Sequence, residues 1–252
     1  MHDANSFADA PECYAAARPH YPEALFEWIA ANCPSRGAAW DCATGSGQAA
    51  IGLAPFFETV FATDISCEQV EQGFGRPNII YSTQPAEETN FSPGMFDLVT
   101  VAQALHWFDF SRFWAEVARV AKPGALFCAW GYSWFGSGSA VDAELVQPFV
   151  ELVAPYWAAN NRILWNGYRD GDIAFPFQRV SAPEFSIEAD WTMPQFAGYL
   201  KTWSAYKRAR KDARAALQLD TLLDRALSRL PSDTPFRFST RLALVAGHVP
   251  KR

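Results

Sequence analysis

Asp41, Gly45, Gly47 and Asp64 are the residues whose types and spacing could do chemistry in this chain. The apolar run Ala38-Ala39-Trp40 meets Asp41, and four residues later Gly45-Ser46-Gly47 interrupts the pattern and opens a helical one at Gln48. A strand that stops at such a loop leaves backbone N–H groups unpaired at the start of the next helix, and glycine lets a ligand approach them closely. Further on, Val60-Phe61-Ala62-Thr63 ends in Asp64, where an acid can hold ribose hydroxyls at the edge of an open parallel sheet. Two strand ends and two acids therefore frame one nucleoside-shaped slot.

The loop is compatible with two ligands. Gly45-Ser46-Gly47-Gln48-Ala49-Ala50 satisfies G-x-G-x-x-A, the dinucleotide fingerprint, at a workable spacing to Asp64. Asp41 opposes that reading, because a carboxylate at the strand end repels a pyrophosphate and attracts the ammonium of an amino-acid tail. A loop acid that merely caps nearby backbone N–H groups is the plain alternative. An NAD(P)-linked oxidoreductase stays as the rival class.

The elements that must position these residues alternate along the chain. Apolar runs at 38–43, 59–63, 78–81, 96–102 and 125–130 are separated by helical patterns at 47–54, from Ser66 to about Gly73, and at about 110–121. A further amphipathic helix covers Pro22 to Ala31. Such alternation predicts a parallel sheet with right-handed crossovers. The helix at 110–121 is expected to stop at Lys122-Pro123-Gly124. Later segments predict a strand at 179–185, a helix over about 212–230 with Leu219, Leu223, Leu227 and Leu230 on one face, and a last strand over 236–246.

The predicted fold is α/β, a Rossmann-like three-layer sandwich with a seven-stranded, mostly parallel sheet, an antiparallel last strand and an aromatic helical cap. It forms a single domain over 1–252. Residues 1–35 cover the cofactor, 36–130 form the binding core, 131–178 are the cap insertion, and 179–252 supply the C-terminal sheet and helices.

Composition narrows the function. With 252 residues, half of them apolar, the chain can bury a sizeable core. A net charge of −6 with 21 scattered Lys and Arg offers no basic face for phosphate contacts, which argues against nucleic acid. The charge-free stretch Pro123 to Val141 carries glycines and serines and falls short of the ~20 apolar residues of a membrane span. The start, Met1-His2-Asp3-Ala4-Asn5, lacks the basic and apolar regions of a secretory signal, so a soluble, cytoplasmic protein is expected. The cysteines Cys13, Cys33, Cys42, Cys67 and Cys128 are dispersed without a C-x-x-C pair, and His2, His20, His106 and His248 lack metal-ligand spacing. No metal is expected, and the oligomeric state is left open.

The stretch Asp41-Cys42-Ala43-Thr44-Gly45-Ser46-Gly47 resembles the first motif of class I S-adenosylmethionine-dependent methyltransferases. Other segments resemble the same family. Asp64 is similar to its ribose-binding acid, with Ile65 placed to pack on adenine. Gln84-Pro85-Ala86-Glu87-Glu88-Thr89-Asn90-Phe91 is similar to its adenine loop, although Pro85 stands where an acid often precedes the alanine. Gln103-Ala104-Leu105-His106-Trp107-Phe108 resembles the post-strand motif of the subgroup related to trans-aconitate methyltransferase, the methyltransferase type 11 group. Tyr14-Ala15-Ala16-Ala17-Arg18-Pro19-His20-Tyr21-Pro22 also resembles that subgroup, whose members fold such a segment over the cofactor. The resemblance covers residues 10 to 130 well and the C-terminal third by layout alone.

The resemblance implies S-adenosylmethionine as cofactor, held by Tyr14, Arg18, Asp41, Ala43, Gly45, Gly47, Asp64, Ile65, Ala86, Glu87 and Gln103. A tyrosine near the sulfonium gains cation–π attraction, and Arg18 can hold a carboxylate. The implied reaction is methyl transfer to a small molecule, with a carboxylic acid as first acceptor. Transfer is an in-line displacement in which the protein aligns the partners and excludes water. An alcohol or protonated nitrogen would need a base, and His106 is the candidate, its plain alternative being a pocket wall beside Trp107. Trp134 and Tyr206 complete the expected acceptor contacts, among aromatic residues that for any single one pack a core as readily. A catalytically silent S-adenosylmethionine-binding module acting on a protein partner is the second rival.

Overall fold

The computed structural model describes residues 19–73, 75–231 and 233–251. In chain order the strands are β1 (Ala38–Cys42), β2 (Thr59–Asp64), β3 (Ile79–Thr83), β4 (Phe96–Ala102), β5 (Ala121–Gly131), β6 (Gln178–Arg179), β7 (Ser186–Trp191), β8 (Phe236–Arg241) and β9 (Ala243–His248). They form a seven-stranded sheet of order β3-β2-β1-β4-β5-β9-β6 and a two-stranded ribbon of β7 and β8.

Strands β1 to β5 pair in parallel, and β9 pairs antiparallel with β5. The sheet is the predicted Rossmann-like one. Its strand order reverses between β1 and β4, which opens a crevice at their carboxyl ends. The continuous apolar runs of β4 and β5 follow from burial on both faces. Helices α1 (Glu23–Asn32), α2 (Gln48–Leu53), α3 (Cys67–Glu71) and α4 (Phe110–Val120) supply the crossovers and cover. In α4 the Asp109 side chain accepts the Arg112 N–H at 3.2 Å, and Phe113, Val117 and Val120 are buried at helical spacing. Phe113 packs among Trp40, Phe108, Trp114 and Phe127, with ring centroids 4.7 to 6.4 Å away. At the opposite end of the strands, Asp97 accepts from Gly37 N and Ala38 N, each at 3.0 Å, and from Lys122 Nζ at 2.7 Å.

The chain folds into two compact units. One comprises His20–Tyr132, Arg162–Phe185 and the residues from Arg241 on, and carries the seven-stranded sheet; the other comprises Ser133–Asn161 and Ser186–Thr240. Within the stretch 131–178 read as a cap insertion, Ser133–Asn161 and the residues from Arg162 on fall in different units. Residues 162–185 belong with the sheet because Leu164, Tyr168, Ile173 and Phe177 are buried in its core, and Trp114 Nε1 donates to the Ile173 carbonyl at 2.8 Å.

Local boundaries shift for similar reasons. Helix α4 ends at Val120, and Lys122-Pro123-Gly124 lies inside β5, with Gly124 at φ +81°. The strand expected at 179–185 is only the two residues of β6, and the next begins at Ser186. The single strand expected over 236–246 is two strands. Phe238 and Thr240 alternate with exposed neighbours in β8, Leu242 leaves the ladder to donate its N–H to the Phe185 carbonyl at 2.8 Å, and β9 then joins β5.

The second unit packs the β7–β8 ribbon with α5 (Gln147–Val153), α6 (Met193–Lys201), α7 (Ser204–Ala209) and α8 (Ala213–Arg229). Phe196 stacks on Phe238 with centroids 3.9 Å apart, and Trp191 stacks on Tyr199 at 5.0 Å. In α8 the buried stripe is Ala215, Leu219, Leu222, Leu223 and Ala226, so Leu222 takes a place expected for Leu227. Among the described residues no helix is long and apolar enough to cross a membrane.

Phe113→Ala is expected to lower the unfolding free energy by about 3–5 kcal/mol in a urea titration, and a loss under about 1 kcal/mol would contradict its place in the sheet's core.

Candidate active site

The loop after β1 is built around two carboxylates. Asp41 lies between Ala62 of β2 and Thr100 of β4 in the sheet register. It is wholly buried; Thr44 Oγ1 donates to one of its oxygens at 2.5 Å and Thr100 Oγ1 to the other at 3.0 Å. Burial pushes its carboxyl up to about 6, against hydrogen bonds from Thr44, Thr100 and the Ala50 backbone. Ala43 sits at φ +53° and Gly45 at +57°, and Thr44 N donates to the Thr63 carbonyl at 2.8 Å. A non-glycine residue in the left-handed region is uncommon and marks backbone held by its surroundings.

Asp64 ends β2 and ties the neighbouring loops together. One of its oxygens accepts from Gly45 N at 2.9 Å and the other from Ser66 N at 3.0 Å. Burial raises its carboxyl above the ordinary range, while the nearby backbone N–H groups of Ser66, Gly45 and Ile65 pull the other way. Ser66 in turn caps α3, its hydroxyl accepting the Gln69 N–H at 3.3 Å. Ile65, beside this carboxylate, is 64% exposed, a large apolar side chain at the strand edge.

The two glycines differ. A Cβ on Gly47 would lie 2.0 Å from the Tyr81 hydroxyl, so a protein side chain occupies that space, whereas among the described residues a Cβ on Gly45 would meet only Gln69 Oε1 at 3.7 Å. Gly45 is therefore the position that leaves room for a ligand, and Gly47 admits Tyr81. The Gln48 Nε2 donor beside the loop is buried without a hydrogen-bond partner among the described residues, which is costly unless another accepting group or water reaches it.

The ends of β3 and β4 bring in the remaining predicted residues. Ala86 is buried and Glu87 half-buried, with Glu87 Oε1 accepting the Asp109 N–H at 3.1 Å. Gln103 adopts φ +59°; its Nε2 donates to the Tyr132 carbonyl at 3.2 Å and its Oε1 accepts the Tyr132 N–H at 3.3 Å. The Gln103 amide is thus engaged with the end of β5. His106 and Trp107 follow on a single 3₁₀ turn, Leu105–Trp107, with ring centroids 5.1 Å apart. His106 is buried, its Nδ1 lies 3.3 Å from the Tyr168 hydroxyl, and burial lowers its pKa to about 4. The imidazole is neutral at pH 7.

Asp41, Ala43, Gly45, Gly47, Asp64, Ile65, Ala86, Glu87, Gln103, His106 and Trp107 thus all lie at or just after the carboxyl ends of parallel strands of one sheet. Trp134 and Tyr206 belong to the other unit, where Trp134 is half-buried and Tyr206 stacks on Phe149 at 5.9 Å. Tyr14 and Arg18 lie outside the described residues. Of the aromatic residues read as cap, Trp165 and Tyr168 belong to the sheet unit. Sequence reasoning missed the parts played by Thr44 and Thr100, and it read Tyr168 only as one of the cap aromatics. A threonine inside the apolar run of β4 was the available signal for Thr100; nothing local marked Tyr168 as the partner of His106. Among the described residues no group of three or more His, Cys, Asp or Glu could hold a metal ion.

The chain is similar to known methyltransferases. A family model described as a methyltransferase domain matches residues 40–129. A solved structure from Anaeromyxobacter dehalogenans, titled as a type II methyltransferase, shares 39% identity over 93% of this chain and 99% of its own, with a TM-score of 0.82. A Dictyostelium discoideum protein named as a methyltransferase is 29% identical over 87% of this chain and 85% of its own length. A Saccharomyces cerevisiae protein named as an S-adenosylmethionine-dependent methyltransferase is 24% identical over 79% of this chain and 80% of its own.

The elevated Asp41 carboxyl has a consequence for stability. The folded chain binds this proton more tightly than the unfolded chain, so the contribution is full below the ordinary carboxylate range and is lost as pH rises through about 6. At pH 8 the ionised group costs on the order of 3 kcal/mol. Asp41→Asn is therefore expected to stabilise the chain more at about pH 8 than at about pH 4.5, by on the order of 2 kcal/mol in paired urea titrations. Equal effects at both pH values would show that Asp41 is not buried as an acid.

Proposed function

We propose that this chain, which belongs to the class I S-adenosylmethionine-dependent methyltransferases, methylates a small carboxylic acid to give a methyl ester. The observation that carries the cofactor's placement is Asp64. Each of its oxygens already accepts one backbone N–H, and an ionised carboxylate offers about four lone-pair sites. One site per oxygen is left for two adjacent ribose hydroxyls.

The surrounding residues fit the same ligand. Gly45 leaves open space in the loop, the exposed side chain of Ile65 offers an apolar face for an adenine, and the orphaned Gln48 amide offers a donor to a ligand carboxylate. Asp41 acts at one remove. With both oxygens held by threonine hydroxyls, it places negative charge behind the loop, which favours an ammonium and disfavours a pyrophosphate. Ala43 shapes the loop, Ala86 and Glu87 border the adenine, and Gln103 fixes the end of β4. Tyr14 and Arg18 are assigned to the segment that covers the cofactor.

S-Adenosylmethionine supplies, when bound, a methyl group activated by its attachment to a sulfonium. The protein's task is to orient an acceptor and exclude water. A carboxylate suits this site because it arrives ionised. His106, lowered to about 4 by burial, takes up a proton poorly at pH 7 and is a weak general base. It is assigned with Trp107 to the acceptor side of the sheet edge.

Isothermal titration is expected to show S-adenosylhomocysteine binding in the micromolar range, with Asp64→Ala weakening it by about 2 kcal/mol, roughly 30-fold, and Asp64→Asn by less. Unchanged affinity in Asp64→Ala would refute the ribose assignment. For the acceptor, metabolite pools incubated with the chain and a trideuteromethyl donor should yield base-labile labelled esters. Label found only on nitrogen would overturn the carboxylate.

A further inference from the structure

Tyr168 is a tightly constrained residue of the sheet unit that the reaction does not yet use. It is wholly buried and sits at φ +53°, directly after Gly167 at φ +79°. Its backbone is held on both sides, its N–H donating to the Ile163 carbonyl at 3.1 Å and its carbonyl accepting from Arg179 Nη2 at 3.3 Å. A left-handed, non-glycine residue so enclosed is a reason to look for function.

The hydroxyl of Tyr168 lies where β4 and β5 end. A Cβ on Gly131 would stand 3.2 Å from this hydroxyl, 2.8 Å from Gln103 Oε1 and 2.6 Å from Leu164 Cδ1, so the absence of a side chain on β5 is what admits the tyrosine. The His106 and Tyr168 rings are stacked, 29° apart with centroids at 6.4 Å, and Nδ1 of His106 is 3.3 Å from the hydroxyl. Among the described residues this is the only hydrogen bond made by either side chain. Burial drives the Tyr168 hydroxyl far above its ordinary range, so it keeps its proton.

A buried hydroxyl must place that proton on an acceptor. The acceptor within reach is Nδ1, and a neutral imidazole that accepts at Nδ1 carries its own proton at Nε2. We propose that Tyr168 is a positioning residue: it fixes His106 as the Nε2–H tautomer and makes it a neutral hydrogen-bond donor toward a methyl acceptor that arrives already ionised. The inference rests on the methyl-transfer reading above and deepens it. A histidine in this state has no free nitrogen with which to take a proton from the acceptor, so no base is used. The acceptor's oxygen lone pair forms the new O–C bond while the C–S bond breaks and its electron pair stays on sulfur. Carboxylate and sulfonium charges cancel, the products are a neutral ester and a thioether, and no proton changes place.

The tautomer can be read directly. In the full chain labelled with ¹⁵N-histidine, a two-bond ¹H–¹⁵N correlation spectrum at pH 7, with His106 assigned by the signals lost in His106→Gln, should show the Nε2–H pattern. Tyr168→Phe, which removes one oxygen, should convert it to a mixture of tautomers while the His248 signals stay in place. An Nδ1–H or doubly protonated His106 in the unmodified chain, or a tautomer unmoved by Tyr168→Phe, would overturn the proposal. If Tyr168→Phe fails to fold, the spectrum of the unmodified chain alone decides. A panel of small carboxylates with their matching alcohols and amines, incubated with a trideuteromethyl donor, adds the chemical arm: labelled esters support the donor role, and labelled ethers or amines alone contradict it. The spectrum needs no turnover and no cofactor. A chain with the Nε2–H pattern that failed to bind S-adenosylhomocysteine would count against the methyl-transfer reading and not against the role of Tyr168 on His106.

Discussion

The carboxylate of Asp64 holds the sheet edge in one geometry. It takes the Gly45 N–H on one oxygen and the Ser66 N–H on the other, so the loop after β1 and the turn after β2 are tied to one side chain. Both N–H groups stand where the chain leaves the ladder, and without this acid each would need water or a ligand to be satisfied. The same tie orients the carboxylate. Its unused lone pairs are fixed by the two it has already committed, which is why a structural acid can also serve as a ligand.

Asp41 plays the opposite part. Nothing about the sheet requires a charge between Ala62 and Thr100, and burying one there is expensive. The two threonine hydroxyls reduce the cost without removing it, since the carboxyl still rises to about 6. Stability is given up at a site where, on the proposed reading, negative charge behind a glycine loop selects the sign of the ligand. Thr44 and Thr100 keep that charge in place, and the positive φ of Ala43 carries the chain around it.

How much of this was legible in the sequence depended on range. The ends of β1 and β2 could be read because glycine, acid and apolar run lie within a few residues of one another and each has a local physical meaning. The sheet followed from the alternation of patterns. Thr100 and Tyr168 were not legible as partners, because register and burial across tens of residues decide what they touch. Gly47 had a local meaning, close approach, but the group that approaches is Tyr81. The aromatic stretch after Trp130 misled for a related reason. Trp157 and Trp165 look alike as sequence, yet one belongs to the ribbon unit and the other to the sheet. The run 236–246 keeps its strand character throughout, and only the hydrogen bond of Leu242 to Phe185 shows where one ladder stops and another begins.

The end of β4 repeats the logic of the β2 end with neutral groups. Gln103 spends its amide on Tyr132, His106 spends one nitrogen on Tyr168, and what remains is the single ring nitrogen for which the donor role is proposed. Charged groups are thus gathered at β1 and β2, where we propose that a nucleoside is held, and neutral ones at β4. A crystal structure of the chain with S-adenosylhomocysteine tests this division most directly. It should show both ribose hydroxyls on the Asp64 carboxylate while the Gly45 and Ser66 N–H bonds persist; a ligand whose ribose lies elsewhere, with Asp64 still bonded only to the backbone, would contradict it.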